Sequence, residues 1–161
     1  MWQNHPEICL FQPEIPQNTG TIGRLAAATQ CRLHLIRPFG FSTDDRHLKR
    51  AGLDYWPFLD LEIHDALDPL LSRFGDHIAF FSKHGEKTYA QVPSSTQLLI
   101  FGRETKGLTP EILQTHADKL YRIPIYHPGV RSLNLANAVS IVVYHQLLQK
   151  YPDHKHPYKK D

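Results

Sequence analysis

Three short stretches carry residue types able to do chemistry together, and they lie far apart in the chain. The first is Asn18-Thr19-Gly20, followed four residues on by Arg24 in a run otherwise made of Ile22, Leu25, Ala26, Ala27 and Ala28. A guanidinium in such apolar company can clamp a phosphate through two parallel hydrogen bonds. The second is Gly102-Arg103-Glu104-Thr105-Lys106-Gly107. It has half the spacing of a phosphate-binding P-loop, but Leu108 and Thr109 stand where that loop needs Lys and Ser or Thr to reach phosphate and metal, which argues against an NTPase loop. Taken alone, Gly102 and Gly107 read as turn residues and Glu104 as a solvated carboxylate. The third stretch, Arg131-Ser132-Leu133-Asn134, opens the longest helical pattern. Ser132 there serves either as a helix cap or at a helix start whose free amides bind an anion. No GxGxxG follows a strand, no GxSxG occurs, and the eleven histidines show neither HExxH nor paired Cys/His spacing. Dinucleotide, serine-hydrolase and zinc readings fall away, and no residue pattern requires a metal.

The elements that must position these stretches alternate. Apolar, β-rich runs at Glu7–Gln12, Arg32–Arg37, Phe58–Ile63, His77–Phe81, Gln97–Phe101 and Lys119–Ile123 predict six strands. Helical patterns lie between most of them. Asn18 or Thr19 is expected to cap a first helix through Ala26–Ala28, Asp44 and Asp45 to open a second closed by Gly52, and Asp65 to open a third ending near Gly75. Thr109-Pro110 opens a short fourth. Ser132 starts the fifth, where Leu133, Ala136, Val139, Ile141, Val143, Leu147 and Leu148 make an apolar surface broad enough to be buried on two sides. Strands such as LLIF and IAFF are continuous apolar runs, which predicts an α/β fold with a mostly parallel sheet flanked by helices on both faces. Ligands of open parallel sheets sit outside the carboxyl ends of the strands. The loops expected there, at residues 13–20, 82–85, 102–107 and 124–134, could line one crevice.

Composition limits the class. With 161 residues, 41% hydrophobic and 21% charged, the chain is long enough to bury a core without disulfides or a structural metal. Residues 1–150 read as one domain and 151–161, with Pro152 and Pro157, as an irregular basic tail. No apolar run approaches a membrane span and Met1–His5 lacks the character of a signal peptide, so the reading is cytoplasmic with no membrane partner. Cys9 and Cys31 sit in apolar stretches and are expected to be buried, reduced thiols. Net charge is only +2, with the excess lying in the tail, so no global field announces nucleic acid. The cluster Arg46, His47, Lys49 and Arg50 reads by itself as a solvated helix face.

Asn18-Thr19-Gly20 with Arg24, Leu99 to Leu108, and Ile123-Pro124 followed by Arg131 to Ser140 together resemble, in order and spacing, the three motifs of the SPOUT RNA methyltransferases. The resemblance runs from about Glu7 to Tyr144. Lys49-Arg50-Ala51-Gly52-Leu53-Asp54-Tyr55 further resembles the minimal subgroup that methylates the ribose 2′-oxygen of the tRNA wobble nucleotide, cytidine or modified uridine. The resemblance implies a C-terminal trefoil knot, which pattern reading alone would not propose because knots are nearly absent from proteins. It also implies S-adenosylmethionine as cofactor, held at Phe81, Gly102, Glu104, Gly107, Ile123, Ser132, Leu133 and Asn134. Homodimers in which first and last helices pack across the interface are implied as well, which would account for the apolar girth of the last helix. The same resemblance points to Arg24, Asn18 and Tyr144 at the reacting hydroxyl, Tyr144 either positioning the nucleotide or packing. Arginine is a poor base at a pKa above about 12, so Arg24 is expected to orient the hydroxyl and a neighbouring phosphate, the proton acceptor being phosphate, water or Arg24 itself. Arg46, Lys49, Arg50 and Arg131 with the basic tail would form a stripe for tRNA that doubles in a dimer.

Two departures from the family pattern stand out: Ala136 where a Ser often follows, and the Tyr126-His127-Pro128-Gly129-Val130 loop. Two rival functions share the fold, a non-catalytic RNA-binding protein and a knotted base methyltransferase. The retained Asn18, Arg24, Glu104 and Asn134 favour catalysis, and the Asn18–Arg24 motif favours ribose.

Overall fold

The computed structural model describes residues 4–43 and 53–153. Seven strands form one sheet: β1 (Glu7–Phe11), β2 (Leu33–Ile36), β3 (Leu61–His64), β4 (Ile78–Phe81), β5 (Lys87–Thr88), β6 (Leu98–Phe101) and β7 (Leu120–Arg122). Their order is β3-β2-β1-β6-β4-β7-β5 and every pairing is parallel. Among the described residues four α-helices accompany them: α1 (Pro16–Thr29), α2 (Asp68–Phe74), α3 (Pro110–Thr115) and α4 (Leu135–Lys150). The expected strands are present with small shifts, apart from two differences. β5 has only two residues and no apolar run to reveal it, and the start expected for β3 is instead a 3₁₀ helix over Leu53–Phe58 containing Pro57. The expected helix from Asp44 to Gly52, with Arg46, Lys49 and Arg50, lies outside the described residues.

Side chains alternate along each central strand, so the sheet feeds two cores. Ile8, Leu10, Leu33, Leu35, Leu99 and Phe101 pack with Ile22 and Ala26 of α1 and Val139, Val142 and Val143 of α4. Cys9, Phe11, Ile36, Phe80, Leu98 and Ile100 point the other way, onto Leu70 of α2 and Ile112 and Leu113 of α3. Because both faces are covered, the strands read as continuous apolar runs rather than alternations. Burial holds both cysteines as thiols, pushing Cys31 up to about 11 and Cys9 further still. Among the described residues no helix is long and apolar enough to cross a membrane.

The last helix departs from expectation. Its buried residues, Ala136, Val139, Val142, Val143, Gln146 and Leu147, all serve one face. Ile141, Tyr144 and Leu148 are 38%, 53% and 46% exposed, because nothing in the described chain forms a layer beyond them. Their spacing of three and four residues puts them on one side of the helix. The described residues therefore bury α4 on one side only.

Candidate active site

The four loops predicted at the carboxyl ends of the strands do meet. They enclose a cleft of about 580 Å³ lined from the β1–α1 loop by Ile15 and Asn18, after β4 by Ser82, Lys83 and His84, after β6 by Gly102–Leu108, and after β7 by Ile123, Ile125 and Arg131–Asn134. All eight residues expected to hold a cofactor line it: Phe81, Gly102, Glu104, Gly107, Ile123, Ser132, Leu133 and Asn134. Arg24 and Tyr144 do not. Arg24 lies on α1 with its side chain 48% exposed, its guanidinium donating to Asp54 at 2.8 Å and lying 5.0 Å from the Tyr55 ring centre. Tyr144 stands on the open side of α4.

Two helix starts are built differently from the sequence expectation, and both differences bind the loops together. α1 begins at Pro16, not behind Asn18 or Thr19, since proline's fixed φ suits the first helical position and the preceding Ile15 is extended. Ile15 has no side-chain acceptor to cap the helix. Glu104 from the β6 loop instead fixes the chain just ahead of the helix: its carboxylate accepts from the backbone N–H of Glu14 at 2.8 Å and of Ile15 at 2.9 Å, and from Asn18 Nδ2 at 3.4 Å. A carboxylate at a helix N-terminus also meets the positive end of the helix dipole. Glu14 makes the reciprocal contact, accepting from the Thr105 amide at 3.2 Å and the Thr105 hydroxyl at 2.8 Å. Glu104 is thus committed to protein donors rather than solvated.

Asn134, not Ser132, caps α4. Its Oδ1 accepts from the amides of Ala136 and Asn137, while its Nδ2 donates to Asn18 Oδ1 at 3.0 Å. One chain of hydrogen bonds therefore runs Glu104–Asn18–Asn134 through all three motifs, with Asn18 buried at its centre. Ala136 suits its place because it is buried, and its amide is satisfied by Asn134 whatever its own side chain. Ser132 stays in the irregular segment leading to the helix, on the cleft wall.

The glycines of the second motif are dictated by close approach and by backbone geometry. A Cβ at Gly102 would lie 2.5 Å from the Gly107 carbonyl carbon and the Leu108 nitrogen, and Gly107 itself has φ of +62°. The loop closes through paired backbone hydrogen bonds between Arg103 and Gly107. Gly85 is equally constrained, a Cβ there falling 2.6 Å from the Tyr121 backbone. Sequence reasoning does not single out Gly85, Glu14 or Thr105, whose importance arises from contacts across loops. Lys83 and Lys106, also on the cleft wall, lie in loops that the sequence predicts to converge, so their positions are available as a signal. With Arg103 and Arg131 they give the cleft a cationic lining suited to phosphates.

The cleft fits a nucleoside-sized cofactor. Its volume lies within the range of about 300–1,000 Å³ usual for small-molecule sites, and its walls combine apolar Leu108, Ile123, Leu133 and Ala138 with exposed loop backbone at glycines.

Known proteins share this fold. Residues 6–144 match the model of the SpoU rRNA methylase family. A Geobacillus stearothermophilus protein with the provisional name tRNA (cytidine(34)-2′-O)-methyltransferase is 48% identical over 149 residues, spanning 89% of this chain and 94% of its own. A solved structure concerned with 2-OH methylation of C/U34 on tRNA superposes with a TM-score of 0.83 at 41% identity, covering 91% of this chain and 97% of that one. The SpoU methyltransferase AviRb of Streptomyces viridochromogenes, solved with AdoMet, shares the fold with a TM-score of 0.77 at 22% identity, covering 91% of this chain and 60% of that one.

Proposed function

The chain belongs to the SpoU rRNA methylase family, and we propose that it methylates the ribose 2′-hydroxyl of the wobble nucleotide of tRNA, cytidine or modified uridine, from S-adenosylmethionine. The convergence of three distant motifs on one cleft is the observation that carries this reading. S-adenosylmethionine, when bound, supplies an electrophilic methyl group. Gly102, Gly107 and Ile123 offer backbone acceptors and donors at short range, Phe81 and Leu133 offer apolar surface, and Ser132 adds a hydroxyl. Glu104, Asn18 and Asn134 hold the walls in register and act by positioning, since their polar atoms already bind one another and the loop backbone.

The residues for the hydroxyl act from a second chain. Arg24 and Tyr144 lie outside the cleft of their own chain, and Ile141, Tyr144 and Leu148 offer an apolar stripe for a second copy. In the homodimer α1 and α4 pack across the interface and Arg24, released from Asp54, orients the 2′-hydroxyl and an adjacent phosphate. Fixing that hydroxyl in line with the methyl donor lowers the barrier chiefly through orientation and electrostatics. The proton leaves to phosphate, water or Arg24. Arg131 at the cleft, with Arg46, Lys49, Arg50 and the tail at 151–161, binds tRNA phosphates, and residues 1–150 act as one knotted domain in the cytoplasm.

Methyl transfer from labelled S-adenosylmethionine to tRNA lacking wobble methylation, read by nuclease digestion and mass spectrometry, tests the reading. A 2′-O-methylated wobble nucleotide is expected. A methylated base would overturn the ribose assignment, and absence of any product despite cofactor binding and an authentic unmodified tRNA would overturn the enzymatic one.

A further inference from the structure

Away from the cleft, the β2–β3 edge gathers polar side chains that the proposed methyl transfer does not use. His34 and Glu62 are direct cross-strand partners, and His64 follows two residues after Glu62 on the same face. That face is the one covered by α2, and His34 is wholly buried there with its ring edge-on to Phe74. Among the described residues this trio alone brings three metal-capable side chains together.

The donor atoms form a small triangle. His34 Nδ1 and His64 Nε2 are 2.9 Å apart, and each lies 3.5 Å from Glu62 Oε2. Zinc bound at about 2.0–2.1 Å in a tetrahedral array sets its ligand atoms about 3.3–3.4 Å apart, so the triangle needs only a few tenths of an ångström of adjustment. The opposite nitrogen of His34 is also suitably placed, with Glu7 Oε2 lying 2.6 Å from Nε2. A carboxylate that accepts Nε2–H fixes the tautomer in which Nδ1 carries the lone pair, and carboxylate–histidine pairs of this kind orient metal ligands. Glu62 and His64 are partly exposed, which leaves a route from solvent, from which a water could complete the ligand set.

We propose that His34, Glu62 and His64 form a binding site for one divalent transition ion of the zinc class, buttressed by Glu7. Two imidazoles and one carboxylate suit zinc, with cobalt and nickel as substitutes. Arg73 is the built-in competitor. Its guanidinium donates to Glu62 Oε2 at 2.8 Å, so an entering ion displaces it toward solvent, where its side chain is already 43% exposed. Arg32 keeps the other carboxylate oxygen, at 3.0 Å. The bound ion would tie β2 to β3 at the sheet's outer edge. Spacing along the chain hides this site, because strand pairing rather than a short motif brings residue 34 to residues 62 and 64.

Full-length, metal-stripped protein titrated with Zn²⁺, and separately with Co²⁺, tests the site. One Zn²⁺ per chain beyond that taken up by His64→Gln is expected, with a rise in Tm for the wild type that His64→Gln lacks. Co²⁺ should give the intense visible bands of four-coordinate nitrogen–oxygen ligation. Glu7→Gln should weaken binding about 10–100-fold. Arg73→Gln should tighten it, on the order of tenfold, by removing a neighbouring cation. The same uptake by wild type and His64→Gln would overturn the proposal, assigning the metal to other histidines. Failure of folded wild type to take up Zn²⁺ would also overturn it, leaving the trio as a hydrogen-bonded network. Circular dichroism confirms folding of each variant, and the outcome is independent of methyl transfer.

Discussion

The cleft and the outward face of α1 and α4 differ in how they are held. The walls of the cleft are tied to one another by named hydrogen bonds: Glu104 to the start of α1, Glu14 to Thr105, Asn18 to Asn134. The outward face carries Ile141, Tyr144 and Leu148 in the open, and Arg24 turned to Asp54. One region is finished within a single chain. The other carries Arg24 and Tyr144, the residues proposed for the hydroxyl, outside the cleft of their own chain. Cofactor binding and catalysis should accordingly come apart under mutation.

Arg24→Ala gives the largest separation. Turnover on unmodified tRNA should fall about 10²- to 10³-fold, the usual cost of removing one donor at a developing charge, while cofactor affinity by calorimetry stays within error. A matching loss of affinity would show that Arg24 supports the cleft instead. The converse is Gly102→Ala, whose methyl group would press on the Gly107 and Leu108 backbone at 2.5 Å. Cofactor affinity should drop about 10²-fold through displacement of the wall. Leu148→Arg probes the open face: sedimentation should report a monomer whose turnover is lost and whose cofactor affinity persists.

Smaller effects are expected within the cleft's own framework. Glu104→Ala removes an acceptor that serves two backbone amides, so denaturant unfolding should show a loss of about 1.5–3 kcal/mol, a charged hydrogen bond's worth, and weaker cofactor binding. Asn134→Ala deletes the α4 cap and should cost about 1 kcal/mol. An equal cost from Ser132→Ala would contradict the assignment of Asn134 as the cap.

Much of the fold and the cleft is legible in the residues. Apolar runs such as LLIF expose the buried parallel strands, and the convergence of four loops follows from where those strands end. The features that stay hidden depend on distance in sequence. Nothing local says that the chain entering α1 is held by Glu104, about ninety residues away, or that Gly85 must admit the backbone of Tyr121. The start of α1 differs from expectation for a local reason: Asn18 is a good capping type, but Pro16 starts the helix earlier and leaves Asn18 buried inside it. The histidine and glutamate side chains at the β1–β2–β3 edge, Glu7, His34, Glu62 and His64, are likewise scattered until the strands pair.

The strand order also sets when the site can exist. β1 lies beside β6, and Asn18 meets Asn134 across 116 residues, so no early segment encloses any part of the cleft. Contacts of such long range are slow to form, since the chain loses loop entropy before the contacts repay it. During synthesis the first three strands would emerge with β1 unpaired along the edge that β6 later fills. That edge is a template for mispairing until the second half of the chain arrives. Nascent protein would therefore depend on holding β1 in waiting, and the cofactor cleft, closed last by the cap of α4, would report that folding is complete.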